Sequence, residues 1–176
     1  MKAIDNIYIM GFMGCGKTKI GSLLADRLGL PYMDTDSQIV EESGMSIVDI
    51  FEKEGEPSFR LKEKQLIERM ARQTGTVVSL GGGAVVDPEN WRLIAGSGIT
   101  IALSYPPEII ASRLAKTEDR PLLNRYAGPE RIQRISSMME ARNPYYRKAD
   151  MVLHLNHEAE PERVVQTLIG YLQWRP

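Results

Sequence analysis

The chain has 176 residues, 43% hydrophobic and 26% charged, which is enough for one domain with a sizeable core and too short for two. Its 22 Lys+Arg nearly balance its 23 Asp+Glu, and a formal net charge of -1 excludes the broad basic field that holds nucleic acid or an anionic membrane non-specifically. A single cysteine, Cys15, excludes an intramolecular disulfide and fits a reducing compartment; the first residues do not read as a signal peptide and no apolar stretch approaches a membrane helix, so the cytoplasm is expected.

Ile7-Tyr8-Ile9-Met10 reads as a buried strand that ends in a glycine-rich turn over 11–16. Ile20, Leu23, Leu24 and Leu28 then recur at helical spacing until Gly29 and Pro31. Tyr32-Met33 is a short second strand leading into Asp34-Thr35-Asp36, and 37–72 is helical in pieces, punctuated by Gly44 and by Gly55-Glu56-Pro57. Thr76 to Leu80 is β-rich and apolar, as in a strand covered on both faces, and stops at Gly81-Gly82-Gly83. A helix from Pro88, a strand over 99–103 and a helix near 107–116 follow, and then a polar, mixed loop over 117–128. Ile132, Ile135, Met138 and Met139 mark a helix and read as core packing; 151–155 is the last strand, and Val164, Val165, Leu168, Ile169 and Leu172 share the face of a closing helix. Strands alternating with helices imply a parallel sheet covered on both sides, within one domain spanning 1–176 that carries insertions at 37–72 and 117–128.

Gly11-Phe12-Met13-Gly14-Cys15-Gly16-Lys17-Thr18 matches G-x-x-x-x-G-K-[ST] between an expected strand and an expected helix. Glycines at this spacing let consecutive backbone N–H groups converge on a phosphate at the positive end of a helix. A lysine then reaches the β- and γ-phosphate oxygens, and the Thr18 hydroxyl is suited to Mg²⁺. No N-K-x-D segment is present, and the D-x-x-G at Asp26–Gly29 falls inside the first expected helix, so a guanine-nucleotide switch is not supported.

Further blocks follow in order. They are Asp34-Thr35-Asp36; F-x-x-x-G-E-x-x-F-R from Phe51 to Arg60; Gly81-Gly82-Gly83; Arg120-Pro121-Leu122-Leu123; and, after a helix, Arg142-Asn143-Pro144-Tyr145-Tyr146-Arg147. With the phosphate loop, this series closely resembles the shikimate kinases, from about residue 7 to at least 150. The resemblance implies a P-loop, nucleoside-monophosphate-kinase-like three-layer α/β fold with a five-stranded parallel sheet of order 2-3-1-4-5. It also implies transfer of the γ-phosphoryl group of ATP to the 3-hydroxyl of shikimate, with 37–72 as substrate-binding subdomain, 117–128 as lid, and a monomer.

Carried over residue by residue, the resemblance assigns ATP to Gly14, Cys15, Gly16, Lys17, Thr18, Lys19, Arg113, Arg120 and Pro161. Mg²⁺ falls to Thr18 and, through water, Asp34; shikimate falls to Asp36, Arg60, Gly82 and Arg142; catalysis falls to Lys17, Asp36 and Arg120. The chemistry of these residue types agrees. Two guanidiniums suit a planar carboxylate, and an aspartate close to the phosphate loop is able to orient or deprotonate a hydroxyl. For Asp34 and Asp36 the plainer alternative is a helix N-cap, with Asp36 capping a helix that starts at Ser37. Alone, the triple glycine reads equally well as a turn. Another small-metabolite P-loop kinase, such as a gluconate kinase, is the nearest rival, and a non-catalytic nucleotide-binding protein is a second. His154 and His157 match no role and read as structural. Lys19 stands where the family often has a hydroxyl residue. Cys15, at a helix N-terminus beside Lys17, is expected either as a reactive thiol that nucleotide protects or as a small buried thiol inert to reagents.

Overall fold

The protein is described as a computed structural model covering residues 5–115, 128–156 and 159–174. Its elements run β1 (Asn6–Gly11), α1 (Lys17–Leu28), β2 (Tyr32–Asp34), α2 (Thr35–Ser43), α3 (Ile47–Lys53), α4 (Glu56–Met70) and β3 (Val77–Ser79). A 3₁₀ turn (Ala84–Val86), α5 (Pro88–Ser97), β4 (Gly98–Ser104), α6 (Pro107–Leu114), α7 (Gly128–Tyr146), β5 (Met151–His154) and α8 (Pro161–Trp174) complete it. The five strands form one parallel sheet ordered β2-β3-β1-β4-β5, as expected. Every residue of β1 and β3 is buried, so helices cover both faces of the sheet. On these faces α1 packs with α8, α4 with α5, and α6 with α7.

Burial within the sheet leaves polar side chains to be paired. Asn6 is 1% exposed; its Nδ2 donates to the carbonyls of Met70 and Gln73 at 3.2 and 2.8 Å, and its Oδ1 accepts from Thr76 N at 3.1 Å. At the far edge Asp150 Oδ2 accepts from both the amide and the hydroxyl of Thr100, at 2.8 and 2.7 Å, and ties the entry of β5 to β4. Among the described residues no helix is long and apolar enough to cross a membrane.

Two local expectations are corrected. The Arg142 block does not follow a helix but lies inside the last turns of α7, which runs through Pro144 to Tyr146. A proline removes one helical hydrogen bond and normally ends a helix. Here Met139 and Tyr146, 7% and 6% exposed, anchor both sides of Pro144 in the core, and tertiary burial overrides the local preference. The second correction is the cap of α2. The helix begins at Thr35, and Asp34 is its N-cap: Asp34 Oδ1 accepts from the amides of Asp36 and Ser37 at 3.1 and 3.2 Å. Asp36 is therefore a first-turn residue and its carboxylate does not cap.

Candidate active site

The phosphate loop leaves β1 at its carboxyl end and delivers the chain to α1. Gly14 and Gly16 have φ of 78° and 88°, a region that side chains rarely tolerate, which accounts for the glycines at these two positions. Gly16 caps α1 and has no side chain to meet the first amides of the helix, which suits an anion at this end. Lys17 Nζ donates to the carbonyls of Gly11 and Phe12 at 2.9 and 3.1 Å, which places its ammonium across the loop. Thr18 Oγ1 donates to Asp34 Oδ2 at 2.8 Å, bringing the expected hydroxyl and carboxylate together as a pair of hard oxygen donors. Among the described residues there is no group of three or more His, Cys, Asp or Glu side chains able to hold a metal. Two oxygens without a protein cage fit a Mg²⁺ held largely by phosphates and water.

Cys15 takes the inert alternative. The loop turns the side chains of Phe12 and Cys15 inward, 2% and 1% exposed. The thiol lines a cavity of about 60 Å³ with Leu103, Tyr105, Met139 and Tyr146, on the core side of the loop. Nucleotide-protected labelling of the folded protein is therefore not expected.

The acceptor side is organised by the triple glycine after β3. A methyl group on Gly81 would lie 2.5 Å from Asp36 Oδ1 and 3.1 Å from Glu63 Oε1. On Gly82 it would lie 3.1 Å from Arg142 Nη1, and on Gly83 3.0 Å from both Nη atoms of Arg60. Three consecutive Cα atoms thus carry ionic groups against them, two carboxylates at Gly81 and one guanidinium each at Gly82 and Gly83, a close approach that glycine favours. The same turn abuts the phosphate loop, since that methyl on Gly82 would also stand 3.5 Å from Gly11 O and 3.8 Å from Met13 N. Thr35 Oγ1 accepts from Gly81 N at 2.8 Å and Tyr146 Oη donates to Gly82 O at 2.7 Å, which holds the turn from both ends.

Arg60 is gripped on α4 by Glu63 at 2.9 Å and by Glu56 at 3.1 Å. Glu63 is buried, and burial pushes its carboxyl above the ordinary glutamate range against the pull of Arg60, with the charges of Asp36 and Asp87 adding to the rise. Arg142 sits over the Phe12 ring, 5.5 Å from its centroid. Among the other expected residues, Arg113 donates to Gly14 O at 3.2 Å and stacks 4.1 Å over the Tyr105 ring, which joins it to the phosphate loop. Lys19 is exposed in the first turn of α1, and Pro161 opens α8, whose Val164, Val165 and Leu168 are buried. Arg120, His157 and the expected lid, apart from Gly128, lie outside the described residues; His154 is exposed at the end of β5.

Glu63, Tyr146 and Phe12 were not singled out in the sequence. For Glu63 the signal was its i,i+3 spacing from Arg60 on one helix face. Nothing in the sequence pointed to the Tyr146–Gly82 bond, which joins residues 64 positions apart.

Tyr146 supplies a test of this packing. Burial above all pushes its phenol from 10.0 to about 12. Between those values the folded protein keeps a proton that the unfolded chain has released, so this residue's contribution to stability is full below pH 10 and falls as pH rises toward 12. The loss is about 1.4 kcal/mol per pH unit in that window. Urea unfolding at a series of alkaline pH values should show a shallower decline for Tyr146→Phe than for the parent. Equal slopes would mean that the phenol ionises freely in the fold.

A parallel sheet of order 2-3-1-4-5, a phosphate loop after its central strand, and a carboxylate with two arginines beside that loop define a P-loop kinase of the nucleoside-monophosphate-kinase-like fold. Residues 13–173 match the family model for shikimate kinase. The chain is 40% identical to the shikimate kinase of Geobacter metallireducens over 98% of this chain and 94% of that one. It is 38% identical to the shikimate kinase of Caldicellulosiruptor bescii, over 92% and 94%. It superposes on the shikimate kinase from Acinetobacter baumannii in complex with shikimate with a TM-score of 0.88, at 30% identity over 97% of this chain and 93% of that one. The shikimate kinase from Bacteroides thetaiotaomicron gives a TM-score of 0.89, at 30% identity over 97% and 99%. The chain belongs to the shikimate kinase family.

Proposed function

We propose that this protein transfers the γ-phosphoryl group of ATP to the 3-hydroxyl of shikimate, giving shikimate 3-phosphate and ADP. The observation that carries the reading is the row of Gly81, Gly82 and Gly83, which sets Asp36, Arg142 and Arg60 side by side next to the phosphate loop. A carboxylate ligand held by the two guanidiniums presents its ring hydroxyls toward Asp36, between the arginines and the loop. Asp36 orients the attacking hydroxyl and accepts its proton, and the backbone of Gly82 closes the contact from the sheet side.

On the nucleotide side the loop amides and the N-terminus of α1 hold the phosphates. The Lys17 ammonium exchanges its two loop carbonyls for phosphate oxygens. Thr18 and Asp34 would hold Mg²⁺, Asp34 by way of water, and the cation would supply charge neutralisation on the phosphates. Arg113 flanks the nucleotide base from its perch on Tyr105, with Pro161 on the opposite side. Arg120, carried over from the family, supplies a further cation to the transferring group. Phosphoryl transfer proceeds through a loose transition state, so positioning and charge neutralisation do most of the work.

The experiment is a coupled assay with Mg·ATP and a panel of acceptors. Shikimate should be phosphorylated, and gluconate and nucleoside monophosphates left largely untouched. Turnover of gluconate with none on shikimate would overturn the assignment in favour of another small-metabolite kinase, and no turnover on any acceptor would favour a nucleotide-binding protein without catalysis.

A further inference from the structure

Tyr32 is a polar group beside this site that the chemistry above leaves unused. It opens β2, one edge strand of the sheet, and its ring is pressed against α1 at Gly21. A methyl group on Gly21 would stand 2.7 Å from Tyr32 Cε2 and 2.6 Å from Ser79 Oγ, so glycine at 21 is what admits the ring. The hydroxyl at its tip is buried and meets no partner at good hydrogen-bond geometry, although Ser79, Thr18 and Asp34 stand close enough to act on it. Ser79 has committed its proton to Lys17 O at 3.0 Å and Thr18 has committed its proton to Asp34 Oδ2 at 2.8 Å. The phenol is thus the uncommitted donor in a group of acceptor oxygens, two of which form the pair assigned to the cation.

An unpartnered buried hydroxyl destabilises a fold, and phenylalanine would fill the same space without that cost. The arrangement makes sense when the hydroxyl finds its partner in another state of the site. We infer that Tyr32 is a positioning residue of the divalent-cation site, its O–H donating to Asp34 Oδ2 when the Thr18 oxygen turns to a cation. That bond keeps the carboxylate aimed at a cation-bound water while Asp34 Oδ1 stays committed to the amides of Asp36 and Ser37. A ligand's outer partners of this kind fix its orientation and basicity. The inference rests on the assignment of Thr18 and Asp34 to the cation.

The test uses Mn²⁺ as a paramagnetic probe, with free Mn²⁺ titrated by electron paramagnetic resonance in the presence of saturating ADP. Tyr32→Phe should weaken Mn²⁺ binding in the ADP complex about 10–100-fold, the usual effect of losing an outer partner. The same variant should bind ADP in EDTA as the parent does, and should unfold in urea at the same or a higher midpoint. Tyr32→Leu, which also removes the hydroxyl, should repeat the loss of Mn²⁺ affinity, though with a lower urea midpoint from the space its ring leaves. A purely structural tyrosine would shift the urea midpoint and leave Mn²⁺ affinity unchanged, and that result overturns the inference while the cation site stands. If the parent itself gains no Mn²⁺ affinity from ADP, the assignment of the cation site fails instead.

Discussion

Asp36→Asn should lower turnover on shikimate about 10²–10⁴-fold, the range usual for loss of a general base, with the fold intact. The substitution keeps the size of the side chain and removes its charge and basicity. Because Asp34 is the cap of α2, the capping of that helix does not depend on the Asp36 carboxylate. Asp36 and Glu63 also both face the Cα of Gly81, and the Asp36 charge helps hold the Glu63 carboxyl above its ordinary range. Neutralising Asp36 relieves that repulsion and removes a favourable first-turn charge, so thermal unfolding should change little while turnover falls. The coupled assay and a melting curve on one preparation check both halves. Near-normal turnover in the folded variant would remove Asp36 from the chemistry.

The two arginines should separate binding from stability. Arg142→Ala should weaken shikimate binding about 10–100-fold, from the loss of a charge-assisted clamp of roughly 1.5–3 kcal/mol. It should lower the unfolding midpoint only slightly, since the guanidinium rests over Phe12 and beside the Tyr146 phenol, a group that is neutral at ordinary pH. Arg60→Ala should weaken binding similarly and also destabilise the protein, by roughly 1–3 kcal/mol. The reason is Glu63: its side chain is only 2% exposed, and Arg60 is the cation that meets it. The double variant Arg60→Ala with Glu63→Gln should recover much of that stability and none of the affinity. Nucleotide affinity, measured with ADP, should change little in all three. Parallel loss of ADP and shikimate binding would point to a disturbed phosphate loop rather than a missing clamp.

These predictions depend on geometry that was legible to different degrees. The loop from Gly11 to Thr18 was readable because backbone demands at Gly14 and Gly16 and the side-chain needs of phosphate all fall within eight consecutive residues. The blocks at Asp36, Arg60, Gly82 and Arg142 were recognisable as a family pattern. Their adjacency was not, because it arises where the ends of β2 and β3 meet α4 and α7 at the triple glycine. The Asp36 capping alternative failed by two residues: both aspartates are good caps, and only the turn from β2 into α2 selects Asp34. The helix through Pro144 was hidden because local propensity counts the lost hydrogen bond and not the burial of Met139 and Tyr146 around it.

By itself the amino-acid sequence determined the parallel α/β class, the strand that feeds the phosphate loop, the residue types able to hold a carboxylate and a phosphate, and the family. Each of these follows from local periodicity, from backbone requirements a few residues long, or from a pattern carried along the chain in order. Only the tertiary structure decided that Cys15 faces the core, that Glu63 balances Arg60, that Tyr146 holds the Gly82 carbonyl, and that Tyr32 places an unpartnered hydroxyl beside Thr18 and Asp34. Burial, and with it the energetic weight of an unmet or unpaired group, depends on which side chains pack together from distant parts of the chain. The order of residues states what each group is able to do; the fold determines whether water, a protein partner or a ligand meets it.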